Sequence, residues 1–216
     1  MNPDEPGPAT TQASIKAESK KAEYKKALIL TTARQVFAAR GFASVTMKEI
    51  AQACGISRGG LYLYYASCEE ILADILGAEA QKKERAERVL ARKISAKDNL
   101  TLYLREEAQR CAGERPTLLY AVIEHGFAES RAGQKTEAGL RCAQAAAQID
   151  RQDTELLQEL IQRGVETEEF TPCETAGTAA RVRMTMDGIR VRRMAGIMTE
   201  QEMDREIDLL VSNLKE

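Results

Sequence analysis

The sequence predicts an all-α protein, and three observations predict it. Between Pro8 and Pro116, and again between Pro116 and Pro172, no residue forbids a helix. Ala, Glu, Lys, Leu, Arg and Gln dominate those stretches, and no run alternates apolar and polar residues with period two. Where apolar residues recur, they do so at helical spacing, as in Ile29, Ala33, Val36 and Phe37.

The elements follow in order. The opening MNPDEPGPATTQAS holds three of the five prolines and carries Asp4 and Glu5, so residues 1–14 read as a disordered tail and not as a secretory signal. A first helix is expected from about Glu18 to Arg40, stopped by Gly41. Thr46-Met47-Lys48-Glu49 has the form of a capping box and opens a short helix, which Gly55 ends by taking a left-handed turn. Ser57 caps a second short helix, Arg58 to about Tyr65. Ser67-Cys68-Glu69-Glu70 reads as another capping box, opening a helix that runs through about Arg92. Two short helices joined by a glycine turn, behind a longer one, form a helix-turn-helix unit. Further helices are expected over about 97–112, 116–130, 136–165, 173–194 and 199–214, about nine in total, with Pro116 in a first turn and Thr136 as a cap.

Charge is unevenly distributed. Residues 15–66 carry nine basic against three acidic side chains, a net +6, while the chain as a whole is −2. A basic head on an acidic body points to a polyanion as the head's partner. Five cysteines without a CxxC, and a single histidine, argue against a zinc site and more strongly against a disulfide framework. Reduced thiols in a cytoplasm are the plain reading. No apolar run approaches the roughly 18–20 residues that span a bilayer. No Ser/His/Asp set or phosphate loop supports an enzyme, and no cofactor is implied.

The stretch GISRGGLYLYYAS crowds Tyr62, Tyr64 and Tyr65 behind Gly59 and Gly60 in a chain with six tyrosines and no tryptophan. Leu61 is the natural core anchor. Tyr65 can bury its ring and keep its hydroxyl wet, and Tyr62 and Tyr64 project to either flank. If this helix lies in a major groove, both flanking hydroxyls reach phosphates and the Arg58 fork reaches a guanine edge. Paired glycines cost about 1 kcal/mol each in helix propensity, a cost tolerable where backbone and DNA approach closely. The plain alternative, a core helix rich in amphipathic aromatics, gains nothing from them.

From Ile29 to Leu72, the segments ILTTARQVFAARGF, TMKEIAQACGIS and RGGLYLYYASCEEIL resemble the DNA-binding domain of the TetR family of bacterial transcriptional regulators. The resemblance covers about residues 23–83, and TPCETAGTAARVRMTMDGI resembles the family's eighth helix. It implies a helix-turn-helix domain over 15–83 and a helical effector-binding and dimerisation domain over 84–216. It also implies DNA contacts from Thr46 and Lys48, and from Ser57, Arg58, Gly59, Gly60, Tyr62, Leu63 and Tyr64. Two positions depart from the family pattern. Leu63 stands where many members carry a polar or basic residue, which suggests an apolar contact such as a thymine methyl, and Cys68 stands where a lysine often reaches phosphate.

The resemblance further implies a homodimer on a palindromic operator, acting as a cytoplasmic, nucleoid-associated repressor without a membrane partner and released by an apolar small molecule. Tyr103, Tyr120, His125 and Met184 are the candidate effector pocket. Met203, Ile207, Leu210 and Leu214, spaced 4, 3, 4, are the candidate dimer seam. Plainer readings stand beside these. The lysines from Lys16 to Lys26 suit a solvated helix end, Arg183, Asp187 and Arg190 suit paired surface charge, and His125 suits a satisfied histidine. A helical interaction module that has lost DNA binding is the competing function, and an enzyme using His125 is the other.

Overall fold

A computed structural model describes residues 8–110, 117–133 and 135–215. Among them the chain forms ten helices and no strand. The Pro116 and Cys111 readings, and the first half of the tail, lie outside the described residues.

The first helix, α1 (Pro8–Arg40), begins well ahead of the expected Glu18. Pro8 suits a first helical position and nothing before Gly41 interrupts the ladder, so residues 8–14 are helical, not a disordered tail. Gly41 then takes φ +77°. Helices α2 (Met47–Ala53) and α3 (Arg58–Tyr62) follow, joined across Gly55 at φ +66°. Both residues adopt the left-handed turn that glycine alone enters without strain. Thr46 makes the full capping box. Ser67 makes half of one: its hydroxyl accepts from the Glu70 amide, while Glu70 reaches one residue further back, to the Ala66 amide at 2.7 Å.

The long helix expected through Arg92 is divided into α4 (Cys68–Ala80) and α5 (Glu84–Leu90). The Ala80 carbonyl accepts from Gln148 and Gln152 Nε2 at 3.2 and 2.9 Å instead of continuing the ladder. The break turns α5 so that Val89 enters a different part of the core. The rest comprises α6 (Ala96–Gln109), α7 (Leu119–Ala132), α8 (Glu137–Glu166, capped by Thr136), α9 (Thr175–Met194) and α10 (Glu200–Ser212).

Two apolar clusters hold the chain together. The first joins α1 to α4 through Ile29, Phe37, Ile50, Leu61, Tyr65, Ile71 and Leu72, and takes in Leu118, Ala121, Cys142 and Ala145 from the neighbourhood of α7 and α8. The second gathers α5, α6, α8, α9 and α10 around Leu100, Leu157, Leu160, Ile161, Met203 and Ile207. Helix α8 contributes to both, with α4 against its first half, so the N-terminal core is completed by residues far along the chain.

Polar links reinforce this join. Glu124 on α7 accepts from the Phe42 and Ala43 amides at 2.7 and 3.0 Å, fixing the turn between α1 and α2. A side chain on Gly41 would collide with that carboxylate, a second reason for glycine there. Asp74 on α4 pairs with Lys26 of α1 at 2.9 Å and Arg141 of α8 at 3.0 Å, and accepts from the Tyr65 hydroxyl at 3.1 Å. Further along, Arg85, Glu107, Asp153, Arg183 and Arg190 form an ion-pair network between helices. Arg183 and Arg190 do pair with Asp187, as expected, but their side chains are about nine-tenths buried and not on the surface.

Candidate nucleic-acid interface

Helix α3 owes its position to one side chain. Leu61 is fully buried in the first cluster, which forces the neighbours on the opposite face outward. Tyr62 is 47 % exposed and Leu63 is 84 % exposed, the most open large apolar side chain among the described residues. At the helix N-terminus the Ser57 hydroxyl accepts from the Gly60 amide at 3.0 Å, and Arg58 stands exposed. One helix earlier, Thr46 and Lys48 are also exposed. Neither Arg58 nor Lys48 makes an ion pair among the described residues. Both cations therefore face solvent on the two elements flanking the Gly55 turn.

The two glycines separate into different roles. A Cβ on Gly60 would press to 3.2 Å on the Ser57 hydroxyl, so its bareness serves the cap. A Cβ on Gly59 would meet nothing within 4 Å. Nothing within the chain explains glycine at 59, and its backbone lies open to an outside body.

The structure revises two of the tyrosines. Helix α3 ends at Tyr62, so Tyr64 sits beyond it, half-buried against the first cluster, and not on a free flank. Tyr65 is buried as expected, but its hydroxyl is not left to water: it donates to Asp74. Burial first, then the Asp74 charge, push its ionisation well above the ordinary tyrosine range. Lys26 Nζ lies 5.5 Å from the centre of the same ring, a cation over an aromatic face. Cys68 is half-buried with its thiol directed at the Val45 carbonyl, and burial followed by the Glu49 charge pushes it up to about 11.

The body residues named from sequence do not come together. Tyr103 is buried in the second cluster and accepts from Arg85 at 2.9 Å. Tyr120 is half exposed beside the α1–α2 turn, His125 is buried against Glu69, and Met184 is 66 % exposed on α9. Tyr120 and His125 both sit on α7 near the α1–α2 turn, whereas Tyr103 lies in the second cluster and Met184 is exposed on α9, so the four do not line one cavity. A groove of about 660 Å³ instead lies between α1, α4 and α8, with Lys26, Leu30, Asp74, Gly77, Arg141 and Gln144 among its walls. Of the dimer-seam candidates, Met203 and Ile207 are fully buried within the chain, and Leu210 and Leu214 pack against the same cluster. Their 4, 3, 4 spacing marks the inward face of α10. Periodicity identifies a buried stripe without saying whose surface covers it.

Sequence reasoning missed Glu124 and Glu69, which tie α7 to the head. No local spacing signals them, because each partner lies more than fifty residues away.

This geometry defines a helix-turn-helix protein: an exposed second helix, set by a buried leucine and a glycine turn, carried on a larger helical body. Comparison with known proteins agrees. Residues 29–75 match the family model described as bacterial regulatory proteins, tetR family. YfiR of Bacillus subtilis, an uncharacterized HTH-type transcriptional regulator, is 29 % identical over 184 residues, covering 82 % of this chain and 83 % of the relative. A fatty acid metabolism regulator protein of the same organism is 28 % identical over 97 residues, covering 44 % of this chain and 50 % of that one. Among solved structures, a TetR transcription regulator from Haloarcula marismortui superposes with a TM-score of 0.70 at 19 % identity, over 90 % of this chain and 100 % of the other. The chain is thus similar to helix-turn-helix transcriptional regulators of the TetR family, by family model over residues 29–75 and by fold over most of its length. Among the described residues, no helix is long and apolar enough to cross a membrane.

Proposed function

We propose that the protein is a repressor that binds a palindromic operator as a homodimer and is released by a small apolar effector held in its C-terminal part. Residues 15–83 act as the reading head and 84–216 as the effector-binding and dimerising body. The observation that carries this reading is the outward face of α3: exposed Arg58, Tyr62 and Leu63 beside the open backbone of Gly59.

In the major groove, Arg58 reads a guanine edge, Tyr62 donates to a phosphate and Leu63 meets a thymine methyl. Thr46, Lys48 and Ser57 hold the flanking backbone. Tyr64, half-buried, sets the exit of α3 more than it contacts DNA. One such head covers too little duplex alone, so two are required about 34 Å apart. With Met203 and Ile207 committed to the core, the dimer seam falls to the outward apolar residues Met184 and Val191 of α9 and Leu209 of α10. The apolar character of the effector is supported by the relative named as a fatty acid metabolism regulator. Helix α4 begins directly after the two short helices of the helix-turn-helix and packs along α8, so it is the element whose displacement changes head spacing. An effector releases DNA only through different affinities for the two spacings.

The test is repeated selection from a random duplex pool at fixed salt, in parallel with Arg58→Ala and Tyr62→Phe. A palindrome should emerge. Arg58→Ala should relax one base position at a cost of about 1–3 kcal/mol, and Tyr62→Phe should weaken all sites alike. No enrichment, or a binding constant indifferent to salt, would leave α3 as a protein-interaction surface.

A further inference from the structure

We propose that Glu69, His125 and Glu129 form a binding site for a divalent transition-metal ion, clamping the first turn of α4 to α7. Their ligand atoms, one from each side chain, all lie within 4.8 Å of one another. His125 and Glu129 are four residues apart on α7 and so share one face, the spacing by which a helix presents two donors to one ion. Glu69 arrives from the first turn of α4, with Oε1 2.7 Å from His125 Nε2. Two donors about 2.1 Å from an ion stand about 3.0–3.4 Å apart, so a small outward shift of Glu69 admits it.

The pocket is built in more detail than an ion pair requires. Thr136, the N-cap of α8, donates its hydroxyl to the second Glu69 oxygen, and the Phe42 ring edge packs on the imidazole at 4.9 Å and 90°. Such contacts fix the orientation of metal ligands. Gly139 in the first turn of α8 supplies the space for Glu129: a Cβ there would lie 2.6 Å from the Glu129 carboxylate oxygen. An imidazole–carboxylate pair is complete without that third group. With Glu129 beside it, even a protonated His125 leaves the cluster negative, and Arg141 further along α8 is committed to Asp74. A divalent cation neutralises two carboxylates and a neutral imidazole. The imidazole selects a transition metal of zinc's class over magnesium or calcium, and water or the Thr136 hydroxyl can complete the shell. The lack of a CxxC and the single histidine that argue against zinc in the sequence are made good by carboxylates from two helices.

The experiment is calorimetric titration of the full-length reduced protein with Zn²⁺, and with Co²⁺ for its absorption spectrum, without DNA. The outcome is thus independent of the regulator reading. Glu129→Gln and Gly139→Ala are the variants, because His125→Ala leaves a buried gap beside Phe42 that by itself destabilises the fold. Gly139→Ala removes no ligand and only displaces the Glu129 carboxylate. The expected result is one ion per chain, no thiolate charge-transfer band with Co²⁺, and at least tenfold weaker binding in each variant, with circular dichroism unchanged. Absence of saturable binding, equal affinity in Glu129→Gln, or a thiolate band would overturn the assignment.

Discussion

Two leucines two positions apart, one inside α3 and one at its C-terminal cap, give the sharpest test of how α3 is held. Leu61 is fully buried and Leu63 is 84 % exposed. Leu61→Ala removes three methylene equivalents at about 0.8 kcal/mol each, near 2.4 kcal/mol of lost transfer energy. The same cluster draws Ile50 from α2 and Ile71 from α4, elements that cannot both close the gap, so a cavity term adds to this. The expected total is about 3 kcal/mol, within the usual 2–5 kcal/mol for such truncations. For Leu63→Ala only about a sixth of the side chain is withdrawn from water, so the same arithmetic gives at most about 0.4 kcal/mol. Urea unfolding followed by far-ultraviolet circular dichroism at pH 7 reads both, with the slope compared to confirm an unchanged unfolding reaction. Leu63→Ala should nevertheless weaken operator binding, since its whole surface is available to a partner. A loss below about 1 kcal/mol for Leu61→Ala, or above 1 kcal/mol for Leu63→Ala, would refute the assignment of inward and outward faces.

Other expectations follow from the same coordinates. Gly164→Ala would drive a methyl into the buried Phe170 ring, and overpacking of this kind should cost about 1–3 kcal/mol by urea unfolding; an unchanged midpoint would mean that Phe170 swings away. Burial opposes the Asp74 charge, but Lys26, Tyr65 and Arg141 hold its carboxyl below the ordinary aspartate value. A depressed carboxylate stabilises the fold above its unfolded pKa and loses that contribution as pH falls through the folded one. The stability gap between wild type and Asp74→Asn should therefore be full at pH 6 and shrink below about pH 3.8; a constant gap to pH 3 would contradict this. Burial holds the Cys68 thiol near 11 and the Cys142 thiol near 12, whereas Cys173 is exposed. Peptide mapping after brief alkylation at pH 8 should find Cys173 modified and those two spared.

How much of this was legible in the sequence divides along the range of the forces involved. The local signals were read correctly where they stood: the Thr46 capping box, the left-handed Gly55, the Ser57 and Thr136 caps and the buried Leu61 each depend on residues within four positions of one another. The same locality explains the family resemblance of residues 29–75, where helix lengths and turns are set by short-range hydrogen bonds and a single inward stripe. Failures began where a partner from far along the chain decided the outcome. The end of α4 is set by two glutamines on α8, Tyr65 gives its hydroxyl to Asp74, and Met203 and Ile207 of the α10 stripe are buried in the second cluster of their own chain. Residues 136–165 read simply as a long helix, yet α8 completes both cores.

The amino-acid order by itself determined which segments are helices, where they are capped and which helix offers an exposed reading face, because capping and periodicity act over a single turn. Only the tertiary structure decided which apolar stripe is interior. It alone brought Glu69 of α4 against His125 and Glu129 of α7, because a side chain's partner across a helix interface is fixed by the packing of whole elements and leaves no trace in local spacing.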